Sequence, residues 1–162
     1  MKVAVIMGSA SDAPKMEGMI KILKEYKVEI KVRALSAHRA HAALAEFVNE
    51  CNNDGTDVII TAAGMAAALP GVVASMTVLP VIGVPIKGAA LEGVDALLSI
   101  VQMPSGIPVA TVAIDGAKNA GYLALEIMAI KYPELSAQLK AYRQDMEKAC
   151  LKTNDEIMNK YN

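Results

Sequence analysis

The sequence predicts an α/β protein with a doubly wound, parallel central sheet. Three observations predict it. Four short runs are apolar and rich in β-branched residues and a fifth alternates, helical spacings fill the gaps between them, and Gly or Pro punctuates most junctions. A strand that is apolar on both faces must be covered on both faces, which is the condition of a parallel sheet. Strand alternating with helix then gives the doubly wound arrangement.

Val3–Met7 is the first apolar run and stops at Gly8. Pro14–Lys27 follows, with Met16, Met19, Ile20 and Leu23 spaced as the buried stripe of a helix. Glu29–Leu35 is a strand that alternates more. Ala40–Asn52 is a second helix, carried by Ala43, Leu44, Phe47 and Val48. Asp57–Ala62, Val78–Val84 and Val109–Ile114 are three further strands, apolar throughout. Ala66–Met76 and Ala90–Leu98 are short helices rich in small residues, and Asn119–Tyr132 is a helix after the last strand. Pro133–Tyr161 is one more helix, long, amphipathic and heavily charged. It follows a sheet that is already complete, so it is either a solvated terminal helix or an arm packing on a neighbouring subunit. The apolar stripe Met146, Cys150 and Ile157 favours the arm.

Length and composition narrow the class. A chain of 162 residues is read as a single domain, 1–162. Counting Gly and leaving out Tyr, about 57% of the chain is apolar, against roughly 45–50% for an average globular protein. That excess excludes disorder and suggests a large core or an apolar subunit interface. The formal net charge is -1, which carries no electrostatic footprint for nucleic acid or an acidic membrane. Aromatics make up 4%, with no Trp, which disfavours stacking on a flavin or on single-stranded nucleic acid. Cys51 and Cys150 make neither a disulfide framework nor a zinc cluster and read as thiols in a reducing compartment. The chain opens directly in a strand without a signal-peptide pattern, so the expected location is cytoplasmic. Val58–Ile86 carries no charge, but Gly64, Pro70, Gly71, Pro80, Gly83 and Pro85 interrupt it. It reads as two buried strands around a short helix rather than a membrane span.

In open parallel sheets the ligand site lies beyond the carboxyl ends of the strands, so the chemistry is sought there. After the first strand stand Gly8, Ser9, Ala10, Ser11 and Asp12. Hydroxyls and free amides at a helix start hold an anion, but Ser and Asp are also ordinary helix caps. After the second strand stand Ser36, Ala37, His38 and Arg39. His38 and His41 are the two histidines, and Arg39 is suited to bidentate phosphate binding. The competing reading is a solvated helix start, with His41 on the surface; no carboxylate or thiol stands nearby at metal-ligand spacing. After the third strand, Ala63 to Gly71 is nearly all small residues, which let a ligand approach backbone amides or serve close helix–sheet packing. Pro85, Ile86, Lys87 and Gly88 follow the fourth strand. Near the last, Met103 and its flanking prolines either wall a pocket or stiffen a connecting loop.

Five blocks taken together resemble one family. They are Met7–Asp12, Ser36–Arg39, Ala63-Gly64 through Leu69-Pro70-Gly71, Val81–Pro85 and Ser99–Pro104. In this order, over nearly the whole chain, they resemble the signature of the N5-carboxyaminoimidazole ribonucleotide mutases, the class I catalytic subunit of phosphoribosylaminoimidazole carboxylase in purine (IMP) biosynthesis. The resemblance implies a flavodoxin-like three-layer αβα sandwich and a homo-octamer with sites at subunit contacts. It implies a small ribonucleotide substrate, and neither a metal nor an organic cofactor. The reaction it implies moves a carboxylate from the exocyclic nitrogen to ring carbon C4. His38 would be the general acid–base, and Ser9, Asp12 and Arg39 substrate-binding positions. On the chemistry, Arg39 with Ser36 suits the phosphate and Asp12 the ribose hydroxyls, with Ser11 assisting. The backbone of Gly64, Met65, Ala66, Ala68 and Leu69 would hold the migrating carboxylate or trapped carbon dioxide.

One position departs from the family's pattern: Ala68 stands where the bacterial mutases usually carry His before Leu-Pro-Gly. Leu69-Pro70-Gly71 matches the mutase pattern and favours it, and two alternatives accompany it. One is a carboxylase of the same fold that uses dissolved carbon dioxide, and the other is a non-catalytic nucleotide-binding module. The octamer is directly measurable: light scattering on the purified protein is expected to give eight times the 17.1 kDa chain mass, and a monomer would refute it.

Overall fold

The computed structural model describes residues 1–162. Five strands form one parallel sheet: β1 (Lys2–Met7), β2 (Glu29–Ala34), β3 (Val58–Gly64), β4 (Val81–Ile86) and β5 (Ala110–Thr111), in the order β2-β1-β3-β4-β5. Six helices accompany them: α1 (Ala13–Glu25), α2 (His41–Asn53), α3 (Leu69–Ala74), α4 (Val94–Val101), α5 (Ala117–Met128) and α6 (Pro133–Tyr161). This is the flavodoxin-like three-layer arrangement. No helix is long and apolar enough to cross a membrane.

The central strands β1, β3 and β4 are apolar on both faces because both faces are covered. Val3, Val5 and Met7 of β1 pack with Met16, Met19 and Leu23 of α1 and with Ala120, Ala124 and Leu125 of α5. Ala4 and Ile6 of the same strand point the other way, into a layer built by Leu44 and Phe47 of α2, Val73 of α3 and Ile100 of α4. Each fully buried aliphatic side chain contributes about 1.5–3 kcal/mol. A one-residue slip of any central strand would therefore exchange two packed layers at once. In α1 the buried fourth position is Ile22 rather than Ile20, which is only partly covered.

Several element ends differ from the sequence expectation, each for a local reason. The fourth strand begins at Val81, not Val78, because Val78 is fully exposed and Pro80 precedes the ladder. The fifth is two residues rather than Val109–Ile114, since between its bonds to Gly83 O and Pro85 O the chain advances three residues, from Val112 to Asp115, against two in β4 and so leaves the ladder. α3 starts at Leu69 rather than Ala66, leaving Ala66 to Ala68 in the preceding loop. α4 starts at Val94 rather than Ala90, because Glu92 and Gly93 take φ values of 55° and 89°, which no right-handed helix accommodates. α5 begins two residues early, at Ala117, and ends at Met128. Met103 stiffens the loop after α4 by packing on α3, where a Cβ on Gly71 would meet its sulfur at 3.1 Å.

α6 is anchored only at its start. Leu135 and Leu139 are buried, Tyr142 stacks on Tyr122 with ring centroids 5.0 Å apart, and Arg143 pairs with Glu126. Asp57 at the foot of β3 ties the turn before α6 by accepting from Lys131 Nζ at 2.8 Å and from the Tyr132 hydroxyl at 3.2 Å. From Lys140 onward every residue is exposed. Met146, Leu151, Ile157 and Met158 are among them. Cys150 is exposed on this helix and Cys51 is buried in α2; both thiols are free.

One glycine sets the depth at which α4 sits. A Cβ on Gly83 would lie 2.5 Å from Ile100 Cγ2 and 3.0 Å from Val109 Cγ1, so β4 has no room for a side chain on that face. Gly83→Ala is expected to cost about 1–3 kcal/mol by overpacking. A lower denaturant midpoint at unchanged slope would register it, and an unchanged midpoint would mean that α4 can shift freely.

Candidate active site

Strand order reverses between β1 and β3, since the chain moves from β1 outward to β2 and then returns to the far side of β1. The crevice at such a reversal, at the carboxyl ends of the strands, is where open α/β sheets bind ligands. A cavity of about 610 Å³ opens there.

The sheet itself positions the first wall. Gly8 continues the ladder by donating its N–H to Ala62 O at 2.9 Å, which brings the ends of β1 and β3 side by side. Residues Ala10–Asp12 then form a tight 3-10 turn ahead of α1. Ser9 Oγ accepts from the Ser11 N–H at 3.2 Å and from the Ser11 hydroxyl at 2.8 Å. Asp12 is the buried acid of the site. Burial pushes its carboxyl above the usual range, against the pull of Ser9, Ser11 and Lys15. Its side chain makes no cap bond to α1, so the cap alternative fails for Asp12, whereas Ser9 does cap the 3-10 turn.

The second wall is Ser36 to Arg39. The Leu35 N–H donates to Met7 O at 2.9 Å, and the N–H groups of Arg39 and Ala40 both donate to Ser36 O, which closes a turn. His38 therefore lies in a turn ahead of α2 and not at the helix start, which is His41. The imidazole and guanidinium of His38 and Arg39 are exposed at the rim; His41 is exposed on α2 and does not line the cavity.

The third wall is the β3–α3 loop. Ala63, Gly64, Ala66, Ala67 and Ala68 present little more than backbone, and Leu69 closes the inner end. Met65 breaks the series with φ of 55° and a side chain 73% exposed. Ala68 holds the position before α3 with no side-chain bond to the helix.

All eleven residues singled out in the sequence lie around this one cavity: Ser9, Ser11, Asp12, Ser36, His38, Arg39, Gly64, Met65, Ala66, Ala68 and Leu69. Ile86 at the end of β4, with Lys87 and Gly88 after it, also line the cavity, as the reading of the fourth strand end allows. Lys87 was visible as the charge after an apolar strand, but nothing in the sequence showed what holds it. Its N–H donates to Asp115 Oδ1 at 2.9 Å, and Lys15 Nζ bridges Lys87 O and the Asp115 carboxylate at 3.0 Å. Burial works against the Asp115 carboxylate; the Lys87 N–H and Lys15 outweigh it and hold the carboxyl below its ordinary range. The Lys87 ammonium pairs with Glu92, which raises its pKa. Met103 and its prolines stay outside the cavity.

The cavity thus combines one buried acid, an imidazole, two cations and a run of bare backbone. Such a set can bind a phosphorylated, hydroxylated small molecule and move a proton on it. The raised Asp12 carboxyl gives a test. An acid whose pKa is higher in the fold costs stability once ionised, so its penalty is fully present at neutral pH and fades as pH falls through the folded value. Asp12→Asn is expected to raise the melting temperature at pH 7 by about 2–4 °C, the shift that about 1 kcal/mol produces in a chain of this size. The gain should shrink toward pH 4. A variant less stable than wild type at pH 7 would show that the carboxylate is a structural bond.

Comparison with known proteins shows the family. The family model for AIR carboxylase matches residues 2–149. An N5-carboxyaminoimidazole ribonucleotide mutase of Pyrococcus abyssi is 56% identical over 147 residues, covering 91% of this chain and 84% of that protein. One of Saccharolobus solfataricus is 52% identical over 152 residues, covering 94% and 96%. A phosphoribosylaminoimidazole carboxylase of Schizosaccharomyces pombe is 48% identical over 155 residues, which are 96% of this chain but 28% of that protein. The crystal structure of Treponema denticola PurE superposes with a TM-score of 0.88 at 29% identity, covering 96% of this chain and 97% of that one. The chain belongs to the AIR carboxylase family.

Proposed function

We propose that the chain is an N5-carboxyaminoimidazole ribonucleotide mutase of purine biosynthesis. The observation that carries the reading is the cavity at the strand reversal, whose lining brings together an imidazole, a loop of bare backbone and two anion-suited turns. Relatives at 56% and 52% identity bear that name.

Arg39 and Ser36 hold the phosphate, and Asp12 accepts from the ribose hydroxyls. Ser9 and Ser11 complete that wall. These contacts lie away from the reacting carbon, so their binding energy goes into position. The amides of Gly64 to Leu69 hold the migrating carboxylate. The bond from the exocyclic nitrogen to the carboxylate carbon breaks with its electron pair left on nitrogen, which takes a proton from His38. The ring carbon C4 then attacks the released carbon dioxide, and C4 gives its proton back to His38. The atoms balance as an isomerisation, and the imidazole ends as it began. A small apolar enclosure suits this route because the intermediate is neutral and reacts with water.

The exposed stripe on α6 supports a second part of the reading, in which the helix is an arm on a neighbouring subunit of a homo-octamer. A helix this far from its own core gains little from propensity alone and is stabilised by packing.

A carboxylase using dissolved carbon dioxide is the second reading, resting on Ala68 and on the relative that bears the carboxylase name. One ultraviolet assay separates the two. The mutase forms the C4-carboxylated product from N5-carboxyaminoimidazole ribonucleotide without bicarbonate, ATP or metal. The carboxylase does so only from aminoimidazole ribonucleotide with excess bicarbonate. Silence with both substrates leaves a binding module. In the active case His38→Asn should lose about 10²–10⁴-fold in kcat, the range of a positioned acid–base group, with little change in KM. Retained turnover would remove His38 from the mechanism.

A further inference from the structure

We infer that Met65 is the cover of the reacting centre, closing over the cavity mouth and retaining the released carbon dioxide until C4 captures it. This rests on the mutase reading above.

Met65 is the single bulky residue in the run Ala63 to Ala68, whose other side chains are hydrogen or methyl. It lines the cavity, yet 73% of it is exposed. Its φ of 55° puts it in the left-handed region that Gly enters freely and larger residues rarely do. Buried packing would account for an unfavourable backbone, but this side chain has little. Strain without packing, at the rim of a cavity, points to a role for the side chain itself.

The chemistry supplies that role. Carbon dioxide carries no net charge and no hydrogen-bond donor, so the cations and hydroxyls that anchor the nucleotide exert little hold on it. Walls retain it, and the small residues beside Met65 leave the wall low on that side. An unbranched thioether adapts to an irregular surface and changes rotamer within nanoseconds, so it can close without any movement of the backbone. The small neighbours leave amides accessible to the carboxylate, while Met65 keeps water away from it.

The test measures escape. Unlabelled N5-carboxyaminoimidazole ribonucleotide is given to the full-length protein in buffer containing isotopically labelled bicarbonate, with carbonic anhydrase to equilibrate it with dissolved carbon dioxide. Label in the C4-carboxylated product, and aminoimidazole ribonucleotide left behind, both report carbon dioxide that leaked. Met65→Gly relieves the left-handed backbone but frees the unfolded chain, two effects that oppose each other, so it should fold and melt close to wild type. It is expected to raise the labelled fraction at least threefold and to lower kcat with KM nearly unchanged. Met65→Leu, which keeps the bulk, should stay at the wild-type fraction. An unchanged labelled fraction in Met65→Gly overturns the inference. So does a change of assembly mass with no change in label, which makes Met65 a subunit contact instead. Wild type that forms no C4-carboxylated product from this substrate overturns the mutase reading, and the inference falls with it.

Discussion

A sheet buried on both faces has no place for polar chemistry along its length. In β3 and β4 every side chain up to the last residue is covered, and in β1 every one after the first. Thr61, the one hydroxyl among them, donates to Ile82 O at 3.0 Å and is spent on the fold. In these central strands ionisable groups are therefore confined to the ends, where backbone groups also run out of ladder partners, while the edge strand β2 carries Lys31 and Arg33 along its length. The reversal between β1 and β3 opens one of these ends, because the connections leaving the two strands go to opposite sides. The position of the cavity follows from the need to bury aliphatic side chains.

The same constraint shapes what surrounds the cavity. Its walls are loops, and loops hold their shape only if their backbone groups are satisfied. Each wall has a different solution. The Ser9–Ser11 hydroxyl pair closes the first, the Ser36 carbonyl closes the second, and the third is held between β3 and the start of α3. The Lys87 edge has no such local closure. It is held from a distance by Asp115 and Lys15, which tie α1, the end of β4 and the turn before α5 at one point. The site is thus supported by contacts 28 to 100 residues apart in sequence. That is why its shape depends on the whole sheet.

Much of this was legible in the residues. Apolar runs such as Val3–Met7 carry their own strand signal, and Met16, Met19 and Leu23 their helix signal, because burial imposes a period on the chain. The loop residues were legible because Gly, Ser, Asp, His and Arg stand out after an apolar strand. What could not be read is whatever depends on a partner distant in sequence. Val78 has the composition of a strand residue and is bare because nothing lies opposite it. Val112 and Ile114 have the composition of a strand, but the pairing with β4 stops at Thr111, where the chain falls out of step with its partner. His38 stands in the sequence context of a helix start, and only the two bonds to the Ser36 carbonyl show the turn that intervenes. The left-handed backbone of Met65 has no sequence signal, since Met is an unusual residue for it.

The brevity of β5 has a consequence for behaviour at high concentration. Only Ile82 and Gly83 of β4 pair with it, so much of the outer margin of β4 is left without a strand beside it. On that margin Gly83 O and Pro85 O accept from Val112 and Asp115, and the next donor in line would be the nitrogen of Pro85, which carries no hydrogen. A foreign extended segment approaching this margin would find acceptors already engaged and a donor missing. Proline in a strand that is apolar throughout thus works as a stop to templated strand addition, on the side where a sheet of this kind is otherwise open to fibril growth.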